Sequence, residues 1–502
     1  MKEKYYLQKK MSVSNKKKAG WIIAGVAGLV LLFFLVNLYV KNKIEQQLGE
    51  QLQVTAYKDL SVNILFNRFS VENLKLDQKR FSGNIEKVKL SGLSYSEYLF
   101  NNNIVINEFE LVRPQITVFP KDSSAKETSG QQKLQIKNLR VKNGKFSRQS
   151  ADTTETMVYA HVASAAVENI HSGMQLSNIN SYQLEVDSLF LKMNPEHYID
   201  VGRLSAKNGQ VEISDFKIRS FFNRKEFVQR IPYEKDYVRL DVNEIKLCSL
   251  HFEMRKDSLY LRNSKMTLAG ANLNIYRNKL VADYPNVKPL YSKMLRNAPI
   301  FINFEKVVVN NSEIVYEEQV KAGEQPAIVR FAAVKGEVDE LHNLKELSSQ
   351  PRITASADFM QCTPVSIDWT FPVFNAQDKF QISGNFGTIQ GEALDPFLVP
   401  SLNARARGTI NSVYFNFFGN DDVMQGDFRM EYDDLKVELL TKKKEEKKGF
   451  LSAIANLFVD NEQEPEEGGS YDVQVERTKN KSFWNFAWKG LREGLLDAVG
   501  QL

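Results

Sequence analysis

From residue 53 to residue 440 the apolar residues fall mostly at every second position, and that alternation commits most of the chain to β structure. VEISDFKI (211–218), IVINEFELVRPQITVF (104–119) and INFEKVVVNNSEIVY (302–316) are typical stretches. Successive side chains of a strand point to opposite faces, so each stretch describes a ribbon with one apolar and one polar side. Helical periodicity is scarce. YSEYLF (95–100) and PLYSKMLRN (289–297) read as short helical crossings.

A second regularity lies inside the first. Two alternating apolar positions are followed by a step of three and then by two more. Leu134, Ile136, Leu139 and Val141 lead into Asn143-Gly144 and Phe146. Ile199, Val201, Leu204 and Ala206 lead into Asn208-Gly209, Val211 and Ile213. Ile302, Phe304, Val307 and Val309 lead into Asn311-Ser312, Ile314 and Tyr316. Ile104, Ile106, Phe109 and Leu111 lead into Pro114, Ile116 and Val118, and Leu240, Val242, Ile245 and Leu247 repeat the first half. A step of three within an alternating run implies a bulge or bend that keeps one face inward. Asn-Gly tolerates positive φ at both residues, so these dipeptides read as turns in a hairpin meander.

Roughly 400 residues of β structure exceed a single compact core, which stops growing near ~250–300 residues. No linker divides the region clearly; KDSSAKETSGQQK (121–133) comes nearest. A long antiparallel sheet curled into an elongated groove resolves the conflict, because it grows in one dimension. Ile104, Ile106, Val211, Ile213, Phe304 and Val307 are then candidates for its apolar lining. A closed two-sheet stack is the alternative, with the same face as sealed core.

Residues 19–40 form an uncharged run, AGWIIAGVAGLVLLFFLVNLYV, long enough to cross a hydrocarbon layer of roughly 30 Å as a transmembrane helix. Lys16, Lys17 and Lys18 precede it, and no small-residue cleavage site follows, so it reads as an uncleaved anchor with the N-terminus cytoplasmic. Trp21 and Tyr39 suit the two membrane interfaces. Met11 would serve as a start equally well as Met1. The first 18 residues hold seven Lys and one Glu; the whole chain is +5, so the rest sums to −1 and lacks the basic surplus of a nucleic-acid binder.

Beyond the groove region (41–440), residues 441–469 read as a charged insertion and 470–480 as a final strand. Residues 481–502 form an amphipathic helix, with Trp484, Trp488, Leu491, Leu495 and Val499 on one face. Trp484 and Trp488 suit a membrane interface, or the helix caps the sheet and protects its edge. Cys248 and Cys362 leave a disulfide and two free thiols both open. Nucleophile elbow, P-loop, zincin and dinucleotide fingerprints are all missing, so neither an enzyme nor a cofactor is expected. Asp421-Asp422 and Asp433-Asp434 read as turn and strand-end residues.

The order of motifs resembles the AsmA-like family of Gram-negative bacteria. It is carried by VNILFNRFSVENLKL (62–76), IEKVKLSGLSYSEYLFNNNIVINEFELVRPQITVFP (85–120), LQIKNLRVKNGKFS (134–147) and GEALDPFLVPSLNARARGTINSVYFNFFGNDDVMQGDFRMEYDDLKVELL (391–440). These motifs are structural, and residues 150–300 match only by β pattern. The resemblance implies a single-pass inner-membrane protein with a curled β-groove in the periplasm. It also implies phospholipid as cargo, lipid transport between membranes in support of outer-membrane integrity, and envelope proteins as partners. The alternative function is a structural or assembly factor for the outer membrane, with a sealed β core and a protein partner.

Overall fold

The computed structural model describes residues 54–78, 81–101, 103–120, 133–150, 155–175, 178–255, 258–440 and 469–500, together with Leu38, Lys41 and Asn42. Those residues form 22 strands and five α-helices, so the protein is mainly β. It divides into two compact units, Met1–Met174 and Gln175–Leu502. The candidate anchor, Trp21 and Tyr39 lie outside the described residues, as does nearly all of 441–469. Among the described residues no helix is long and apolar enough to cross a membrane.

In the first unit, β1 (Val54–Ala56) and β2 (Asp59–Asn63) both pair with β3 (Arg68–Asp77). The sheet continues through β4 (Phe81–Leu93), β5 (Ile104–Val118), β6 (Leu134–Gln149) and β7 (Thr156–His171). Helix α1 (Tyr95–Phe100) joins β4 to β5, started by the Ser94 side chain accepting from the Glu97 amide.

The second unit runs from β8 (Tyr182–Lys192) through β9 (His197–Lys207), β10 (Gln210–Ser220) and β11 (Asp236–Cys248). It continues through β13 (Ser258–Asn278), β14 (Phe301–Gln319), β15 (Ala327–His342), β16 (Arg352–Phe359) and β17 (Thr363–Thr370). It ends with β18 (Phe380–Phe386), β20 (Ala404–Gly419), β21 (Val423–Leu439) and β22 (Gly469–Glu476). Two short strands, β12 (His251–Arg255) and β19 (Ile389–Gln390), pair with β13 and β20. The helices are α2 (Arg224–Arg230), α3 (Tyr291–Arg296), α4 (Asp395–Leu402) and α5 (Phe483–Gly500). The sequence reading missed α2, although its Asn223/Glu226 capping box is a readable start signal.

Two expectations need correction. The sheet is not antiparallel throughout, because β5–β6 and β13–β14 are parallel. A parallel neighbour requires the chain to return to the starting end, and 279–300 does this for the second pair. The copies of the sequence repeat at 104 and 134 thereby come into register, Ile106 beside Ile136 and Phe109 beside Leu139. The second correction concerns Asn143-Gly144 and Asn311-Ser312, which are not hairpin turns. Both lie inside single strands, β6 and β14. Asn208-Gly209 does turn the β9–β10 hairpin, with φ of 48° and 85°.

The asparagines inside strands mark a kink shared by neighbours. Pairing skips a level at more than one place in each unit, then resumes in the same register over nearly every pair. In the first unit one skipped level holds Asn73, Glu86, Arg113 and Asn143, and another holds Gly92, Asn107, Lys137 and Asn169; φ is 52°, 48° and 52° at Asn73, Arg113 and Asn143. In the second unit one holds Gly202, Asp215, Asn243, Gly270 and Asn311, and another holds Ser264, Glu305 and Glu340. Because both partners lose the same rung of pairing, each strand resets its alternation at the same level. The three-residue steps span such levels: Ile106–Phe109 and Ile136–Leu139 span Asn107 and Lys137, Val201–Leu204 and Val242–Ile245 span Gly202 and Asn243, and Phe304–Val307 spans Glu305.

Gly270 shows how tightly a kink is built. Its φ is +66°, and a Cβ there would sit 2.3 Å from Nδ2 of Asn243. Gly270→Val is expected to lower unfolding free energy by about 1–3 kcal/mol through backbone strain. Urea titration checks this; a loss under about 0.5 kcal/mol, within the range of an ordinary surface change, would contradict the shared-kink account.

Candidate functional site: an apolar sheet face

Register turns the repeats into apolar rows crossing the strands. On one side of the second unit's kink run Leu184, Ala206, Val211, Leu247, Met266, Val307 and Val338. Beside them run Val186, Leu204, Ile213, Ile245, Leu268 and Val309. Beyond the kink come Val201, Phe216, Val242 and Ala271, then Ile199, Ile218, Leu240, Leu273 and Ile314. The first unit repeats the scheme: Phe69, Leu90, Phe109, Leu139 and Val167 form one row, and Val71, Val88, Leu111, Val141 and Ala165 the next.

The opposite face is polar and ion-paired. In the first unit Glu110 accepts from Lys89 and Lys142, each at 2.7 Å, and Glu72 pairs with Lys87 at 2.9 Å. Hydrogen bonds from Lys142 and Lys89 hold the Glu110 carboxyl below its ordinary pKa. In the second unit Lys306 pairs with Glu337 at 2.7 Å and Asp339 at 3.2 Å. These exposed pairs contribute little stability, but they mark which face meets water.

The apolar face changes character along the second unit. Over β8–β15 most of it is half-buried: Leu204, Ile213, Leu268 and Val309, and all of Ile199, Ile218, Leu240, Leu273 and Ile314, retain solvent contact. The first row then continues in register from Val338 through Ile353, Trp369, Ile382 and Phe417. Here it is sealed, since Trp369, Ile382 and Phe417 belong to one buried cluster with Phe428, Phe483 and Phe486. Helix α5 supplies the cover. Gly490 and Gly494 let it approach Phe417, Met424 and Phe428; a Cβ at Gly494 would sit 2.2 Å from Phe428 Cγ.

The six lining residues proposed from sequence all fall within strands, β5, β10 and β14. Ile104 is half-buried in β5, and Ile106 is buried between Leu93 and Ile136. Val211 and Ile213 lie between β9 and β11 partners, and Phe304 and Val307 in β14 beside Asn263 and Met266. Ile104 and Ile106 belong to the first unit and the other four to the second, so the structure brings together two groups. On α5, Phe483, Phe486, Ala487, Gly490, Gly494 and Ala498 are buried and Leu491 and Leu495 of the expected stripe pack beside them, while Trp484 and Trp488 remain 47% and 40% exposed. Small residues permit close packing, whereas hydrophobicity ranking favours tryptophan. Trp484 Nε1 donates to the Tyr291 hydroxyl at 3.1 Å, and the Trp488 ring lies 6.0 Å from that of Phe397.

Cys248 and Cys362 are both free thiols, Cys248 half-buried and Cys362 exposed. Asp421 and Asp422 form the β20–β21 turn, where Arg477 and Lys479 pair with them. Among the described residues no group of three His, Cys, Asp or Glu could hold a metal ion.

Sequence reading also missed a charged cluster where the apolar rows end. Val238, Ile275 and Tyr316 form the last row, and Asp236 faces Arg277 just beyond. Arg277 donates to both Asp236 oxygens at 2.6 and 2.7 Å. Buried Glu234 accepts from Lys279 at 2.8 Å and from Lys481 at 3.0 Å. Burial by itself would raise the Glu234 pKa; hydrogen bonds from Lys279 and Lys481, with both lysines and Arg277 nearby, outweigh it and bring it to about 2.

A carboxyl depressed on folding stabilises the protein above its unfolded pKa and loses that contribution as pH falls through its folded value. The Glu234 contribution is therefore complete above about pH 4.5 and drains away toward pH 2. Acid unfolding of Glu234→Gln should lack that part of the wild-type dependence. Identical slopes for the two proteins would contradict it.

No protein-family model matches the chain, and no curated protein matches it.

Proposed function

We propose that this protein shields lipid acyl chains, most simply those of phospholipid, on its open apolar face. On this reading it is a membrane-anchored carrier or conduit of the AsmA-like kind, acting between the inner and outer membranes. The observation that carries the proposal is the half-buried apolar face over β8–β15, backed by polar side chains on the other face. An acyl chain in water costs ~0.8 kcal/mol per CH₂, so a transfer route needs such a lining. The shared kinks support a groove, because they bend neighbouring strands at one level while keeping the same face apolar. Motif order and the uncharged run at 19–40 support the anchored, periplasmic placement.

The experiment is native mass spectrometry of the purified full chain with lipid extraction. Co-purifying phospholipid, lost in Ile106→Asp, Val211→Asp or Ile213→Asp, is the expected result. A folded, lipid-free protein would favour the structural or assembly role, for which the sealed cluster beneath α5 is the supporting observation.

A further inference from the structure

One cation at the end of the apolar face makes no ion pair among the described residues. Lys288 lies in the 279–300 crossover, whose Leu290 and Leu295 pack into the same cluster as Trp369 and Phe417, so the segment crosses the apolar side of the sheet. Its backbone is held twice: its amide donates to the Lys479 carbonyl at 2.8 Å, and its carbonyl accepts from the Arg477 guanidinium. The half-buried side chain is thereby aimed, with Nζ 5.5 Å from the Tyr284 ring centroid. Among the described residues Nζ makes no ion pair or hydrogen bond.

The neighbouring carboxylates are already engaged. Asp236 is taken by Arg277, Glu234 by Lys279 and Lys481, and Asp283 by Lys481 at 2.5 Å. Burial lowers the Lys288 pKa, and repulsion from Arg277 and Lys481 adds to the effect against the longer-range attraction of Glu234 and Asp236. The cluster thus holds one ammonium that an incoming anion would relieve. Beside it the apolar row ends at Tyr316, whose ring lies 5.9 Å from the Arg277 guanidinium carbon.

We infer that Lys288 binds the phosphate ester of an anionic amphiphile whose acyl chains lie on the adjoining rows through Ile275 and Leu273. This rests on the lipid reading above. A partly desolvated ammonium at the end of an apolar surface matches a phosphate joined to hydrocarbon, and a compact point charge suits a phosphate monoester.

The test compares phosphatidic acid, diacylglycerol with the same acyl chains, and inorganic phosphate as probes, by native mass spectrometry of the full chain. Wild type should retain phosphatidic acid about tenfold over diacylglycerol, a gap of about 1.4 kcal/mol. Lys288→Met, which keeps the apolar stem, should bring the two lipids to near parity, and Lys288→Arg should restore the preference. An unchanged preference in Lys288→Met overturns the inference. So does inorganic phosphate bound as strongly as phosphatidic acid, which would make this a free-anion site. If diacylglycerol is retained in every Lys288 variant but lost in Leu240→Asp, and Lys288→Met keeps the wild-type preference, the headgroup contact fails and the apolar-face reading stands. Retention of neither lipid overturns both.

Discussion

Truncating Phe417 to Ala is expected to cost about 3–5 kcal/mol of unfolding free energy, while Leu273→Ala costs about 1–2 kcal/mol. Both are apolar residues of the same sheet face in the second unit. Phe417 is fully buried beneath α5, in contact range of Met424 and the Gly490 backbone. Removing its ring leaves a cavity that the close-packed helix cannot collapse into. Leu273 is half-buried, so water already reaches part of it and truncation forfeits less transfer free energy. Urea titration of both variants measures the contrast. Equal losses would mean that the face over β8–β15 is as sealed as the part under α5, and would remove the basis for an open lining.

The second large effect falls on binding. Leu240→Asp is expected to leave the protein folded but to abolish lipid retention. Leu240 lies between Ile218 and Leu273 on the half-buried row, and a carboxylate there stays hydrated while the face is open. With an acyl chain on the row, the charge loses water without gaining a partner, a penalty of several kcal/mol per ion. Lipid extraction alongside thermal unfolding separates the outcomes. Lipid loss with a small melting shift fits an open face. Gross unfolding would place Leu240 in a sealed core and favour the assembly role.

How much was readable in advance varies with the residues. The alternation and the three-residue steps at 104, 134, 199, 240 and 302 identified the apolar face, because register preserves what the sequence encodes locally. Asn143 and Asn311 misled, because positive φ serves a hairpin turn and a kink inside a strand equally well. Only their neighbours Arg113 and Gly270, kinked at the same level, distinguish the two. In β13 the repeat was obscured, since Ala271 stands where Val201, Phe216 and Val242 mark the neighbouring strands. Leu491 and Leu495 of the expected stripe do pack, but nothing local told that the glycine edge of α5 packs closest: glycines are poor helix formers, and their fit against Phe417 and Phe428 is a tertiary fact. Lys288 and Glu234 were invisible, because their partners come from segments as distant as Arg477 and Lys481.

The most direct test of a lipid-shielding face is site-specific photo-crosslinking of the full chain in cells labelled with radioactive phosphate. A photoreactive residue would replace Leu240, Leu268 or Ile314 on the apolar rows, or Lys217, Lys246 or Lys306 on the polar face. Phosphate-bearing adducts at the first three positions and none at the last three are the expected result. Adducts equally frequent on both faces, or none at Leu240, Leu268 and Ile314, would contradict the account.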